Sequence, residues 1–170
     1  TAELAKVLFK KSVRIVLKLN SLKAEVMALL TGRTDSLNNT LNAIKYLKEA
    51  GYPDKTHLLG VSTVICKQNL TEIIDLWKWL KDQAITPYFE MITPQGKAKE
   101  DAELVVESKD LETLFSKIAK IDLELYGNKW DIQPPLVANK CLRNLYSCLI
   151  DSHGNVKPCV GVNIMCGNIR

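Results

Sequence analysis

Four of the five cysteines lie within the last thirty residues, and this clustering constrains the fold more than any other feature of the chain. Soft thiolate ligands gathered so closely indicate a bound metal or cluster. The four are Cys141, Cys148, Cys159 and Cys166. The fifth, Cys66, lies in an apolar run and is interpreted as a small buried hydrophobe.

The residues between Cys148 and Cys159 predict a β-hairpin. The segment Asp151–Asn155 is rich in turn residues and is flanked by apolar residues on both sides. Gly154 supplies the positive φ that a tight turn requires and that other residues resist. We therefore expect two short strands that meet at this turn, with thiols at both ends.

Three kinds of cysteine site remain open on these residues alone. Four thiolates suit an iron–sulfur cluster and a zinc ion equally well. Structural zinc sites favour pairs separated by two to four residues, whereas both close pairs here, 141–148 and 159–166, have six residues between them. Disulfides or free thiols form the third alternative, although an odd number of cysteines is a poor match to a disulfide framework.

Composition and charge exclude some classes of protein. With 170 residues, 46% of them hydrophobic, the chain can bury one core and a small appended module. A net charge of +4 without a basic patch does not indicate a nucleic-acid partner. No apolar run reaches the eighteen residues typical of a membrane span, so no membrane association is expected. Because the chain begins at Thr1 and ends at Arg170, we expect it to be a fragment.

Before the cysteine-rich segment, strand-like and helix-like segments alternate. Runs of β-branched and apolar residues predict three buried strands, at Val13–Leu19, Leu58–Cys66 and Thr86–Ile92. Apolar residues at helical spacing predict four helices: one with Leu4, Val7 and Leu8, one capped by Ser36 and ended by Gly51, one opened by Asn69 and Glu72, and one over about 109–122.

This alternation implies right-handed βαβ units and a parallel sheet. The predicted fold is α/β: a partial (β/α) barrel of parallel strands with a small cysteine-rich β-hairpin module at the C-terminus. The predicted domains are the C-terminal part of the barrel at 1–108, a helix and linker at 109–135, and the module, cut short, at 136–170. The first strand would form an uncovered sheet edge, so we expect the fragment either to form a homo-oligomer or to be ordered only as part of a longer chain.

The cysteine-rich segment resembles a known family. Twelve residues separate Cys141 from Gly154, four separate Gly154 from Cys159, and a Gly-Asn-Ile element follows at 167–169. This pattern resembles the auxiliary-cluster domain, of SPASM or twitch type, of radical S-adenosylmethionine enzymes. The resemblance implies that Cys141, Cys148, Cys159 and Cys166 hold an auxiliary [4Fe-4S] cluster.

The preceding chain resembles the barrel of the same enzymes. The segments 18–22 and 30–52 are similar to the family's fourth strand and its helix, 64–73 to the fifth strand and its exit, and 90–98 to the sixth. These motifs occur in the family's order.

The resemblance also implies a cofactor site at the C-terminal ends of the strands. Expected contacts to S-adenosylmethionine come from Lys18, Asn20, Arg33, Thr93 and Gly96. Lys18 and Asn20 occupy positions where the family commonly has a serine and an aspartate. The fork of guanidinium donors on Arg33 suits a carboxylate. Further candidates at the strand ends are Asn69, interpreted mainly as a helix cap, and Glu90.

The implied function belongs to a longer parent protein. The family's C-x3-C-x2-C triad is absent from this sequence, so this chain alone is not expected to cleave S-adenosylmethionine. The parent would form a 5′-deoxyadenosyl radical and abstract hydrogen, in peptide or protein modification or in cofactor maturation. Implied partners are a peptide or small-molecule substrate and an electron donor such as flavodoxin or ferredoxin, in the cytoplasm. No catalytic residue is assigned. The alternative is a non-catalytic zinc-binding α/β interaction domain.

Overall fold

The computed structural model of the protein describes residues 1–92, 102–130, 145, 147–159, 162 and 164–170. It divides into two compact units, Thr1–Met91 and Ile92–Arg170. The predicted divisions near residues 108 and 135 stay predictions. Among the described residues, no helix is both long enough and apolar enough to cross a membrane.

The first unit alternates helices with three parallel strands, as the sequence predicted. Its strands are β1 (Ile15–Lys18), β2 (Leu59–Ile65) and β3 (Thr86–Met91). Its α-helices are α1 (Ala2–Lys10), α2 (Ala24–Thr31), α3 (Ser36–Ala50) and α4 (Ile73–Asp82). The strand order is β1-β2-β3 with parallel pairing throughout, so β2 is central and all three strands end at the same edge.

One face of this sheet carries the hydrophobic core. Leu59 and Val61 of β2 are fully buried, in one cluster with Ile44 and Leu47 of α3 and Leu80 of α4. Each such side chain stabilises the fold by about 1.5–3 kcal/mol relative to its exposed state. The core therefore fixes the position of the sheet relative to its helices.

The opposite face of the sheet is open. Strand side chains alternate between the two faces, so the residues between the buried positions point away from the helices. On β1 the side chain of Val16 is 52% exposed, and on β3 that of Tyr88 is 41% exposed. Lys18 and Glu90 are exposed on the same face. This polar face lies on the side that a (β/α) barrel encloses.

One predicted helix cap is wrong and the other forms only in part. The cap residue of α3 is Asp35, and the Ser36 hydroxyl donates instead to the Arg33 carbonyl (2.8 Å). Asn69 and Glu72 occupy N-cap positions, of the short 3₁₀ turn Leu70–Glu72 and of the α4 that follows it, but neither makes a side-chain capping bond. Their side chains bind groups at the strand ends instead. Helix α2 was not predicted.

A buried amide joins the ends of β1 and β2. Asn69 is 0% exposed, and its side-chain carbonyl accepts a hydrogen bond from the Cys66 backbone N–H (2.9 Å). Its amide group donates to the carbonyls of Asn20 (2.8 Å) and Val64 (2.9 Å). One side chain thus satisfies three backbone groups at the strand ends, and two of these hydrogen bonds are fully buried.

Further polar contacts reinforce the same edge of the sheet. The Asn20 side-chain oxygen accepts from the Val64 N–H (3.0 Å), and the Thr63 hydroxyl donates to the Leu19 carbonyl (2.6 Å). The Ser21 hydroxyl donates to the buried Glu72 carboxylate (2.8 Å). This network holds the chain after β1 against the chain after β2.

We predict that Asn69→Ala lowers the free energy of unfolding by about 3 kcal/mol, because it leaves buried backbone groups without partners. Urea denaturation of the variant and the wild type measures the difference. Asn42→Ala, at an exposed position on α3, serves as the control and is expected to change stability little. Equal losses in the two variants would contradict the structural role of Asn69.

At the opposite end of the strands, His57 in the loop before β2 contacts the end of α1. The His57 ring stacks on the Phe9 ring, with centroids 3.9 Å apart, and its Nε2 lies 3.0 Å from the Phe9 carbonyl oxygen. The Asp54 carboxylate accepts from the backbone N–H groups of Thr56 and His57, both at 2.7 Å, and contacts the His57 ring (2.8 Å). These hydrogen bonds lower the pKa of Asp54, and the bond from the Thr56 N–H contributes most.

The lowered pKa of Asp54 predicts a pH dependence of stability. A carboxyl group with a depressed folded-state pKa stabilises the fold above its unfolded pKa of about 4, and the contribution is lost as the pH falls. We expect Asp54→Asn to lower the melting temperature at pH 7, with a difference from wild type that shrinks between about pH 5 and pH 2. Thermal melts over this range measure it, with Asp75→Asn on α4 as control. A constant difference at every pH would contradict the prediction.

The second unit contains a helix and a small antiparallel sheet. The helix α5 spans Ser108–Tyr126, and the sheet consists of β4 (Leu149–Ile150), β5 (Asn155–Lys157) and β6 (Gly167–Asn168). The turn between β4 and β5 has Gly154 at a φ of +81°, and the Asp151 carboxylate accepts from the His153 N–H (2.8 Å). A metal-binding role for this small sheet stays a prediction.

Candidate functional site

Lys18 lies on the open face of the parallel sheet. Its ammonium group donates to the Ser62 hydroxyl across the β1–β2 pair (3.2 Å). Partial burial lowers the pKa of Lys18 from its ordinary value, and the negative charge of Glu90 opposes this shift. Two opposite charges therefore share this face, although no ion pair joins them among the described residues.

Tyr88 adds an aromatic surface to the same face. A Cβ atom added to Gly60 would lie only 2.5 Å from Cε2 of Tyr88, so the ring lies across this glycine. Gly60 thus lets the aromatic ring approach the central strand closely. Sequence reasoning missed Tyr88 and Ser62 as site residues. The sequence does contain a pattern that could have indicated this site. Along β2 the small residues Gly60 and Ser62 alternate with large apolar residues.

Asn20 supports the edge of the sheet. It is buried, and its side-chain oxygen is bonded to the Val64 N–H. Asn20 and Lys18 both lie at the end of β1, where the sequence placed the cofactor contacts. Within the described part of the chain, the polar atoms of Asn20 bind β2 and the segment that follows it.

Arg33 lies in the loop between α2 and α3 and already binds a carboxylate. Its guanidinium donates to both oxygens of Asp35, at 3.1 and 2.9 Å, with both side chains exposed. The Asp35 hydrogen bond raises the pKa of Arg33. Among the described residues, no hydrogen bond joins the Arg33 side chain to Lys18 or Asn20. Two other predicted cofactor contacts, Thr93 and Gly96, lie outside the described residues.

Three of the four clustered cysteines can be placed, and Cys141 lies outside the described residues. Cys148 precedes β4, Cys159 follows β5, and Cys166 precedes β6. Because Leu149 pairs with Lys157 and Val156 with Gly167, these three positions lie at one end of the small sheet. All three are free thiols. Within the described ranges, however, the side chains form no group of three potential metal ligands.

The interaction of Lys18 with Glu90 can be measured directly. We predict that the pKa of Lys18 lies below the ordinary value of a lysine side chain, because part of its hydration is lost. Glu90→Gln removes the attraction that favours the charged form, so the Lys18 pKa should fall further. Lysine side-chain NMR titration, with Glu49→Gln as the matched control, checks both. A Lys18 pKa that rises in Glu90→Gln would contradict the arrangement.

The chain resembles a solved structure in its fold. No protein-family model and no curated protein matches it. A solved structure, native anSMEcpe with bound AdoMet and Cp18Cys peptide, matches 99% of this chain with a TM-score of 0.60 and 16% identity. The chain spans about half of that structure, 51% of its length. The chain therefore shares a mixed α/β fold with about half of that structure.

Proposed function

We propose that the chain is part of a radical S-adenosylmethionine enzyme that abstracts hydrogen from its substrate with a 5′-deoxyadenosyl radical. The observation that carries this proposal is the structural likeness to an enzyme bound to AdoMet and a peptide, which extends over nearly the whole chain. The order of the strand motifs supports the same function. The chemistry requires the parent protein, because this sequence lacks the C-x3-C-x2-C triad.

The proposed cofactor contacts come from the strand ends and the loop after α2. They are Lys18, Asn20, Arg33, Thr93 and Gly96. The two hydrogen bonds from Arg33 to Asp35 support its inclusion, because a guanidinium group binds carboxylates in this two-donor geometry. A ligand carboxylate that replaced Asp35 would face the same two donors.

The proposed auxiliary [4Fe-4S] cluster binds to Cys141, Cys148, Cys159 and Cys166. The donor chemistry fits, because thiolates are the usual ligands of such clusters. The strand register favours the site by bringing three of the positions to one end of the sheet, although the described thiols are not assembled. When bound, the cluster supplies one-electron chemistry; the cysteines hold it and tune its potential.

The proposed substrate is a peptide or protein, with cofactor maturation as a further use of the same chemistry. The bound Cp18Cys peptide of the structural neighbour supports a peptide. We also propose an electron donor such as flavodoxin or ferredoxin, a cytoplasmic location, and self-association through the β1 edge.

Anaerobic reconstitution with iron and sulfide tests the proposed cluster. We expect the protein to bind iron and sulfide in equal amounts with the broad visible absorption of iron–sulfur proteins. Serine substitutions at Cys148 and Cys159 should remove most of the iron, because each deletes a thiolate ligand. Cys66→Ser is the control, since Cys66 is buried in the first unit with 1% exposure.

Metal specificity separates the proposal from its alternative. Purified protein that retains one zinc ion, and takes up no sulfide on reconstitution, would support the zinc-binding interaction domain. Iron uptake that is unaffected by the cysteine substitutions would contradict the assigned ligands.

A further inference from the structure

A cavity lies at the end of the parallel sheet opposite to the candidate site. Its volume is about 510 Å³, and its lining includes residues from the places where the three strands begin. Arg14 precedes β1, Leu59 is the first residue of β2, and Thr86 is the first residue of β3. All of the lining residues belong to the first unit, and none of them is among the proposed cofactor or cluster ligands.

Two cationic residues line this cavity. They are Arg14 and Lys55, both exposed, and within the described part of the chain neither side chain forms a hydrogen bond or an ion pair. The hydroxyl group of Thr86, which also lines the cavity, has no hydrogen-bond partner among the described residues either. These side chains can therefore turn their donors towards a ligand without breaking a bond to the rest of the first unit.

The carboxylate in the lining, that of Asp54, is bonded within the loop before β2. Its Oδ1 accepts from the Thr56 N–H (2.7 Å), the Thr56 hydroxyl (3.0 Å) and the His57 N–H (2.7 Å), and it contacts the His57 ring (2.8 Å). The lining residues thus carry two positive charges and one negative charge, and hydrogen bonds already stabilise the negative charge. This balance favours an anionic ligand.

The backbone on two sides of the cavity is held by hydrogen bonds. The Asp54 N–H donates to the His57 carbonyl (3.1 Å), which closes a tight turn with Lys55 inside it. In the turn between α4 and β3, the Ala84 N–H donates to the Lys81 carbonyl (2.9 Å). A site whose backbone is already fixed loses less conformational entropy when a ligand binds.

The charges of the lining suit a phosphate group. A phosphate monoester carries a charge of about −1.5 to −2 at pH 7 and can balance two cations, whereas a carboxylate carries a single charge. A guanidinium group binds phosphate oxygens through two parallel N–H bonds, and an ammonium group binds them as a point charge. The cavity volume lies in the range of about 300–1,000 Å³ that is typical of small-molecule sites. Apolar lining residues such as Pro53 and Leu58 can contact an organic group attached to the phosphate.

We propose that this cavity binds a phosphate group through Arg14 and Lys55, with the Thr86 hydroxyl as a further donor. The phosphate is either free inorganic phosphate or the phosphate of a small organic ester. The site is independent of the proposed function, because it lies at the other end of the strands and shares no residue with the proposed cofactor contacts.

Calorimetric titration at constant ionic strength with three probes tests the site. The probes are inorganic phosphate, phenyl phosphate, which adds an apolar group, and benzoate, which has a carboxylate in place of the phosphate. We expect Arg14→Gln and Lys55→Gln each to weaken binding of the phosphate probes by about tenfold, since each removes a charged hydrogen bond. Lys45→Gln, at an exposed position on α3, is the control with the same charge change and is expected to leave binding unchanged.

A second pair of variants tests the electrostatic argument at Thr86. Thr86→Glu places a carboxylate in the lining and is expected to abolish binding of both phosphate probes through charge repulsion. Thr86→Gln introduces a side chain of similar size without the charge and should retain most of the binding. Circular dichroism checks that every variant is folded. This pair still tests the site if a substitution at Arg14 or Lys55 impairs folding.

Backbone amide NMR locates the bound probe. Addition of phenyl phosphate should shift the amide signals of Thr56 and Ala84, which line the cavity, and leave that of Asn69 at the opposite end of the strands unchanged. Shifts confined to other parts of the chain would contradict the location.

Each result of the titrations has a defined meaning. Tighter binding of phenyl phosphate than of inorganic phosphate, weakened in the Arg14 and Lys55 variants, supports the site and assigns it to an ester. Equal or tighter binding of inorganic phosphate, with the same dependence, supports the site and assigns it to the free ion. Benzoate that binds as tightly as phenyl phosphate overturns the assignment to phosphate. Absence of saturable binding of both phosphate probes, or binding that is unchanged in the Arg14 and Lys55 variants, overturns the site and leaves the proposed function standing.

Discussion

The buried side chain of Asn69 is the contact on which the candidate site depends. Parallel strands end together, and the backbone groups beyond their last paired residues need partners once they are buried. The Asn69 side chain is the hydrogen-bond partner of three backbone groups on two neighbouring segments. Because the Asn69 side chain is fully buried, the loss of one of its bonds leaves an unpaired polar group that is costly in free energy. The rim of the sheet thus has one well-determined backbone conformation.

The side chains of the central strand β2 differ in size between the two faces of the sheet. Its large residues Leu59, Val61 and Ile65 are buried, the first two in one cluster with the helices. Its small residues, Gly60 and Ser62, face the open side. The small residues leave space above the strand, which the Tyr88 ring and the Lys18 side chain reach from either side. A larger residue at position 60 would displace the ring. The polar face is therefore a consequence of the same alternation that builds the core.

The sequence predicted the three strands of the first unit because their period and β-branched content have few alternative explanations. It also predicted the burial of Cys66, which is 1% exposed. The caps were mispredicted because Asn69 next to a helix has the same local pattern whether it bonds that helix or a strand. Two of its three partners, Cys66 and Val64, lie on the preceding strand and the residue after it, and the third, Asn20, is 49 residues away in the chain. Helix α2 was missed because Ala24–Thr31 is apolar on nearly all sides. Without a polar face opposite an apolar one, the sequence has no helical periodicity to recognise.

Similar limits apply to the candidate site. The resemblance of the motifs led to Lys18, but the partner of its ammonium, Ser62, follows only from the pairing register. The ion pair of Arg33 with Asp35 could have been suspected from their spacing of two residues, yet a loop permits many geometries and only the structure shows a bidentate one. The sequence tells which side chains can donate or accept hydrogen bonds. Which of several possible partners each side chain binds depends on the three-dimensional structure.

The small sheet of the second unit shows why its thiols are relevant to more than cofactor binding. Strands of two or three residues bury little apolar surface, and isolated hairpins of this size are marginally stable in water. Ile150 and Ile169, in or beside these strands, are exposed and add little to a core. A cluster held by Cys148, Cys159 and Cys166 would cross-link the one end of the sheet where all three strands have a cysteine nearby. Its binding free energy would then also be folding free energy, as in other small metal-binding modules. For this reason, we expect the small sheet to be more ordered when the proposed cluster is bound and less ordered when it is absent.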